Sequence, residues 1–347
     1  MRIALASVQV PFIKGGAEHH AENLRAELIK RGHEADIITM PFKWYPASCI
    51  VDSILFSRMI DLTEVNGQAI DRVIGLKFPM YFVKHPNKVI WALHQHRQAY
   101  ELWGTKFGDL EHMEDGVKVR DMIINADNKY LRESKAIFTN SKTVSDRMSK
   151  YNAISSEPLY HPPSNYEKLY CEDFGDYIFY PSRLHEIKRQ HLLIEAMSYT
   201  KSNAILLLAG TGEKEYTNYL NSLINKFNLH SKVKLLGRIT EEEKISYYAK
   251  CLLVYNGPYE EDYGYVTLEG FYSSKPLITH TDSGGPLEFV ENEITGYVVE
   301  ANPESLAEKI DYLFNNKHIA KSMGMKGNQL MKDLKITWDY VIERLLQ

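Results

Sequence analysis

The 347 residues hold only three cysteines, Cys49, Cys171 and Cys251. Their odd number and wide spacing exclude a disulfide framework and a zinc site, and make a reducing cytoplasm the simplest home. No run of about 18 apolar residues occurs, so no segment is expected to span a bilayer. The opening MRIALASVQV is too short for a secretory leader, and Gly15, Gly16 and Glu18 follow it instead of a small-residue cleavage site. Surplus positive charge is missing as well. Lys and Arg number 41 against 45 Asp and Glu, a net charge of −4, where a nucleic-acid binder would be basic. The first half is slightly basic and the second acidic. No cluster of roughly four to eight cations appears, which leaves open only weak peripheral contact of the first half with anionic lipid. The glycine pair after the first strand lacks the G-x-G-x-x-G spacing, so the nicotinamide fingerprint is absent.

What is present is an ordinary globular composition, 44% hydrophobic and 25% charged, which argues against disorder. The length suggests two domains with sizeable cores. Short β-rich runs alternate with helical stretches. Strands are expected at residues 2–8, 33–39, 72–76, 88–94 and 136–140, with helices at 16–31 and 117–134. A second series places strands at 177–181, 204–209, 233–236, 252–255, 276–279 and 296–299. Helices at 189–199, 214–228, 241–250, 266–272 and 304–315 separate them. This alternation argues for parallel sheets covered on both faces. Between the two series, residues 151–176 show no periodicity and contain Pro162-Pro163, which forbids helix and favours an extended linker. The first domain is placed at 1–165 and the second at 166–334, with an end helix at 335–347. The fold class is α/β, two doubly wound parallel-sheet domains facing a central cleft. Ligands of such sheets bind beyond the carboxyl ends of the strands.

Three loops at those ends carry candidate chemistry. Gly15-Gly16-Ala17-Glu18 opens the first helix, where glycines allow close backbone approach and the helix end favours an anion; a simple tight turn explains it as well. Arg183 and Lys188 share the loop between the strand at 177–181 and the next helix. Two fixed cations there could neutralise a diphosphate without a metal; solvated surface charges are the plain alternative. The third segment runs from Glu261 to Glu269. Glu261 lies in a loop, Gly264 precedes a helix start, and Glu269 lies about one turn inside the helix. Carboxylates suit sugar hydroxyls, because each oxygen accepts hydrogen bonds from adjacent OH groups. An acidic first helical turn would account for Glu261 but poorly for Glu269. His94 and His96 occupy alternate strand positions and could converge on a metal, but no third ligand is evident. Phe42, Trp44, Tyr45, Trp103 and Phe107 could stack on sugars or touch lipid, and could equally be core.

Together these segments resemble the family-4 retaining glycosyltransferases of the GT-B fold. The resemblance rests on Gly15-Gly16-Ala17-Glu18, Ser182-Arg183-Leu184…Lys188, Ala209-Gly210-Thr211-Gly212-Glu213, Leu236-Gly237-Arg238, Glu261…Glu269 with seven residues between, and Ser283-Gly284-Gly285-Pro286…Glu288. It covers essentially the whole chain, most strongly residues 177–300. It implies two Rossmann-like domains. Arg183 and Lys188 would hold the donor diphosphate, and Glu269 the ribose hydroxyls. Glu261 and His94 would contact the transferred sugar. The backbone of Tyr265 and Val266, after Gly264, would lie near the phosphates. Gly16 would close onto the phosphate, Gly210 would line the donor site, and Gly237-Arg238 would flank the base. The sequence departs from the common pattern at Tyr263-Gly264-Tyr265, Glu269-Gly270, Lys275-Pro276 and Arg189, which leaves the sugar undefined.

The resemblance implies transfer of a hexose-type sugar from a UDP- or GDP-linked donor to a glycan, lipid-linked glycan or other hydroxyl acceptor, in polysaccharide or glycolipid assembly. No Asp-x-Asp in the setting of metal-dependent transferases is present, so no metal or other cofactor is expected. The end helix would cross back to the first domain. Alternatives are a silent GT-B subunit acting as a partner protein and a GT-B sugar-nucleotide epimerase or phosphorylase.

Overall fold

The computed structural model describes residues 1–12 and 15–347. They form two units, Met1–Ser164 with Thr337–Gln347, and Asn165–Ile336. The first unit runs β1 (Arg2–Gln9), α1 (Gly16–Lys30), β2 (Glu34–Pro41), α2 (Ser48–Met59), β3 (Glu64–Val65), β4 (Gln68–Ala69), β5 (Arg72–Gly75), β6 (Lys88–Ala92), α3 (Gly116–Tyr130), β7 (Ala136–Thr139), α4 (Lys142–Asn152) and β8 (Glu157–Pro158). Its six-stranded sheet has the order β2-β1-β5-β6-β7-β8 and is parallel throughout. Near-continuous apolar strands follow from burial on both faces: Val73 and Ile74 of β5 and Ile90 and Trp91 of β6 are fully buried.

The second unit runs β9 (Tyr177–Pro181), α5 (Gln190–Tyr199), β10 (Ile205–Ala209), α6 (Lys214–Lys226), β11 (Val233–Gly237), α7 (Glu241–Lys250), β12 (Leu253–Tyr255), α8 (Tyr265–Tyr272), β13 (Leu277–His280), β14 (Gly296–Val299), α9 (Pro303–Asn315) and α10 (Lys317–Asp333). Its parallel sheet has the order β11-β10-β9-β12-β13-β14. Renumbered from β9, this is 3-2-1-4-5-6, the dinucleotide-fold order. Both units are thus Rossmann-like, as the alternation of strands and helices predicts. The last helix, α11 (Trp338–Leu346), belongs to the first unit. Its Trp338, Val341, Ile342 and Leu345 pack with Leu24 and Leu28 of α1 and Trp91 of β6.

Three helices were not anticipated: α2, α4 and α10. One correction concerns chemistry. β6 ends at Ala92, not His94, so His94 and His96 do not share a strand face and the alternation argument for a metal fails. His94 Nδ1 lies 2.5 Å from the Gln95 carbonyl, and half-buried His96 packs against Phe42 and Phe78. Phe42, Trp44 and Trp103 pack on the core of the first unit, whereas Tyr45 is exposed.

Candidate functional site

The order of the second sheet sets the site. β9 lies between β10 and β12, so the chain winds toward one edge from β9 and toward the other from β12. Loops that follow two such strands diverge and leave a crevice at the carboxyl end of the sheet. Arg183 and Lys188 ride on the loop after β9; Glu261, Gly264 and α8 follow β12.

The loop after β9 is held from below. Buried Gln190 donates from Nε2 to Ser182 Oγ at 2.8 Å and to the Arg183 carbonyl at 2.9 Å. The Tyr180 hydroxyl donates to the Lys188 carbonyl at 3.0 Å. Arg183 is thereby left with an exposed side chain. The Lys188 ammonium donates to Glu261 Oε2, so the structure joins two of the expected site residues directly. Backbone bonds zip the neighbouring loops: Tyr259 N to Ile187 O at 2.8 Å, Glu261 N to Ser283 O at 2.9 Å, and Gly285 N to Glu261 O at 2.9 Å.

α8 begins at Gly264, whose φ of 83° lies in the left-handed region. A Cβ there would stand 2.9 Å from Pro286 Cγ and 3.2 Å from Asn256 Nδ2, which is why glycine occupies the position. The helix start carries the amides of Tyr265 and Val266 and the positive end of the dipole, a setting for anions. Glu269, only 8% exposed, accepts from Lys244 Nζ at 3.0 Å on Oε1 and from the Tyr248 hydroxyl at 2.7 Å on Oε2. Burial pushes the Tyr248 phenol well above its usual range, and the Glu269 carboxylate adds to this. After β10, Gly210 (φ 140°) donates to the Gly237 carbonyl at 2.7 Å. A Cβ at Gly210 would meet the Ser182 carbonyl at 2.0 Å, so glycine lets the loops after β9 and β10 touch. Gly237 ends β11, and the Arg238 side chain beyond it is exposed.

Gly16 and His94 belong to the first unit, after β1 and β6 at the carboxyl edge of its sheet. Gly15 caps α1, and Glu18 Oε2 accepts from Gly15 N at 2.8 Å. Lys77, just past β5, lies 3.9 Å from Glu18 Oε1. Burial lowers its ammonium pKa, with Glu18 opposing. Among the described residues, no group of three or more His, Cys, Asp or Glu could hold a metal ion.

Sequence reasoning missed several partners. Lys244 sits in an acidic first turn and reads as a surface charge. Arg189 forms a two-pronged pair with Asp282, 2.6 Å on each arm, across 93 positions that no local pattern connects. Burial raises the Asp282 carboxyl pKa, but the Arg189 guanidinium more than offsets this and holds it below the usual carboxylate range.

Residues 172–330 match the family of glycosyl transferases group 1. An uncharacterized glycosyltransferase of Methanocaldococcus jannaschii is 27% identical over 98% of this chain and 95% of its own length. The alpha-1,3/1,6-mannosyltransferase of Dictyostelium discoideum is 29% identical over 54% of this chain and 48% of its own. The structure of Anabaena HepE in complex with UDP and glucose matches with a TM-score of 0.73 at 15% identity, covering 100% of this chain and 98% of that one. At that identity the likeness shows the fold.

Proposed function

We propose that this GT-B glycosyltransferase, with its group 1 domain over residues 172–330, moves a hexose-type sugar from a UDP- or GDP-linked donor to a hydroxyl acceptor, with retention at the anomeric carbon and without a metal. The observation that carries the reading is the group of loops at the carboxyl end of the second sheet. Arg183 and the Lys188–Glu261 pair follow β9 and β12, and α8 opens at Gly264 with Glu269 one turn inside. A diphosphate leaving group needs fixed positive potential as the bond to the sugar breaks. Arg183, Lys188 and the first amides of α8 supply it, the role that metal-dependent enzymes give to a cation. The bond from the anomeric carbon to the phosphate oxygen breaks, and the bond to the acceptor oxygen forms on the same face. The departing phosphate oxygen takes the acceptor proton, so no separate general base is required. Glu261 holds hydroxyls of the transferred sugar, and Glu269 those of the ribose. The mannosyltransferase relative and the Anabaena structure in complex with UDP and glucose support a nucleotide-sugar donor.

The first test is thermal stability with UDP, GDP and ADP, each with and without EDTA. A ligand at about 100 times its Kd adds about 2.7 kcal/mol, a shift of a few degrees at this size. One diphosphate shifting the melt, unchanged by EDTA, supports the reading and identifies the base. Arg183→Ala is expected to keep the melt and Glu269→Ala to fold with a lowered melt, because Lys244 and Tyr248 lose their buried partner; both should lower turnover at least tenfold, and near-normal turnover in both would overturn the site.

A further inference from the structure

Lys244 and Tyr248 on α7 have no place in the scheme above, yet they hold both oxygens of Glu269. We propose that they are positioning residues that turn Glu269 into a receptor for two adjacent hydroxyls, so that α7 sets the preference for a ribonucleotide donor. The inference rests on the ribose role of Glu269 in the proposed function.

The argument is geometric. An ionised carboxylate has about four lone-pair directions on its two oxygens. Lys244 Nζ takes one on Oε1 at 3.0 Å and the Tyr248 hydroxyl takes one on Oε2 at 2.7 Å. One acceptor direction then remains on each oxygen, a pair whose spacing suits the 2′- and 3′-hydroxyls of one ribose. Lys244 is itself fixed, because Glu241 Oε2, three residues earlier on α7, accepts from it at 3.0 Å. The Thr240–Glu243 capping box anchors that turn: Thr240 N donates to Glu243 Oε2 at 2.8 Å, and Glu243 N to Thr240 Oγ1 at 3.1 Å. Burial works against the Lys244 charge, but Glu269 and Glu241 raise its pKa above the ordinary lysine value. The cation also meets a need of Glu269. A carboxylate 8% exposed carries a large desolvation cost unless it is paired and hydrogen-bonded.

The experiment compares binding of the nucleoside diphosphate that shifts the melt with binding of its 2′,3′-dideoxy analogue, by calorimetry. The proteins are the wild type, Lys244→Met, Lys244→Arg, Tyr248→Phe and Glu269→Gln. The wild type is expected to prefer the ribonucleotide at least tenfold. Lys244→Met and Tyr248→Phe should cut that preference below threefold while binding the dideoxy analogue as the wild type does, and Lys244→Arg should restore most of it. A merely structural role would weaken both ligands alike. A full preference in folded Lys244→Met would overturn the inference and leave the role of Glu269 standing. No preference in the wild type would overturn the ribose assignment and the inference together. Should Tyr248→Phe fail to fold, the Lys244 pair of variants decides alone.

Discussion

Glu261 and Lys188 neutralise each other, and both are about one-fifth exposed, at 22% each. A diphosphate would take the Lys188 ammonium from Glu261 and release the carboxylate toward the sugar. Breaking such a half-buried pair costs about 0.5–1 kcal/mol, so removing the carboxylate charge should return that energy to nucleotide binding. Glu261→Gln is expected to bind the nucleoside diphosphate roughly two- to fivefold tighter and to turn over at least tenfold more slowly. Calorimetry against steady-state kinetics checks the split, and weakened nucleotide binding would contradict the exchange. Arg189 shows how far residue-scale reading reaches. The resemblance marks it as a departure from the common pattern, and its φ of 57° lies in the left-handed region that favours glycine. The compensation is not visible. The fork onto Asp282, with Tyr259 lying 5.4 Å from the guanidinium, comes from a loop two strands away.

At the scale of elements, the helices missed from sequence have separate causes. α10 contains Gly324 and Gly327, which read as breakers. A Cβ at Gly324 would meet the Ser274 carbonyl at 2.0 Å, and one at Gly327 would meet Phe271 Cδ1 at 2.2 Å. The pair is a smooth face that lets α10 lie against α8, and packing outweighs propensity. α4 is rich in Ser, Thr and Asn, and its start is declared only by Ser141, whose hydroxyl accepts from Val144 N at 3.1 Å. α2 exposes Leu55, Phe56 and Met59, which blurs the contrast between its faces. The strands were legible because parallel strands buried on both faces are short apolar runs between turn signals. The site loops were legible as loops, but Lys244 and Asp282 join them only through tertiary packing. The start of α8 yields a prediction. Gly264→Ala would place a Cβ 2.9 Å from Pro286 Cγ at a φ of 83°. The strain is expected to cost about 1–3 kcal/mol and to shift the first-turn amides, lowering turnover more than tenfold. An unchanged melt with full activity would show that the helix start does not need glycine.

The two units differ in their buried histidines, and this sets their response to acid. In the first unit, burial lowers His20 and His96 to about 3, and lowers His161 well below the ordinary value. His20 Nδ1 and His161 Nε2 lie 3.0 Å apart, between the rings of Trp91 and Trp338. In the second unit, burial and then Arg189 lower His280 to about 4, and half-buried His185 shifts the same way by burial and Arg183. A histidine kept neutral in the fold contributes stability that is present above its unfolded pKa of about 6.5 and lost as pH falls toward the folded value. For buried His20 and His280 the cost at pH 5 is about 2 kcal/mol each. Asp127 runs the other way. Burial raises it to about 6, against the hydrogen bonds it accepts from Tyr100, Gln95 and Tyr81, so the folded state regains about 1 kcal/mol on the same descent. The first unit, with three lowered histidines against one opposing carboxylate, is expected to lose more stability on this descent than the second. All four tryptophans, Trp44, Trp91, Trp103 and Trp338, lie in the first unit, so their fluorescence follows that unit alone, while far-ultraviolet circular dichroism follows both. Between pH 7 and pH 5 the fluorescence melt is expected to fall further than the transition of the second unit. Equal shifts of the two transitions would mean that the buried histidines of the first unit do not carry its acid sensitivity.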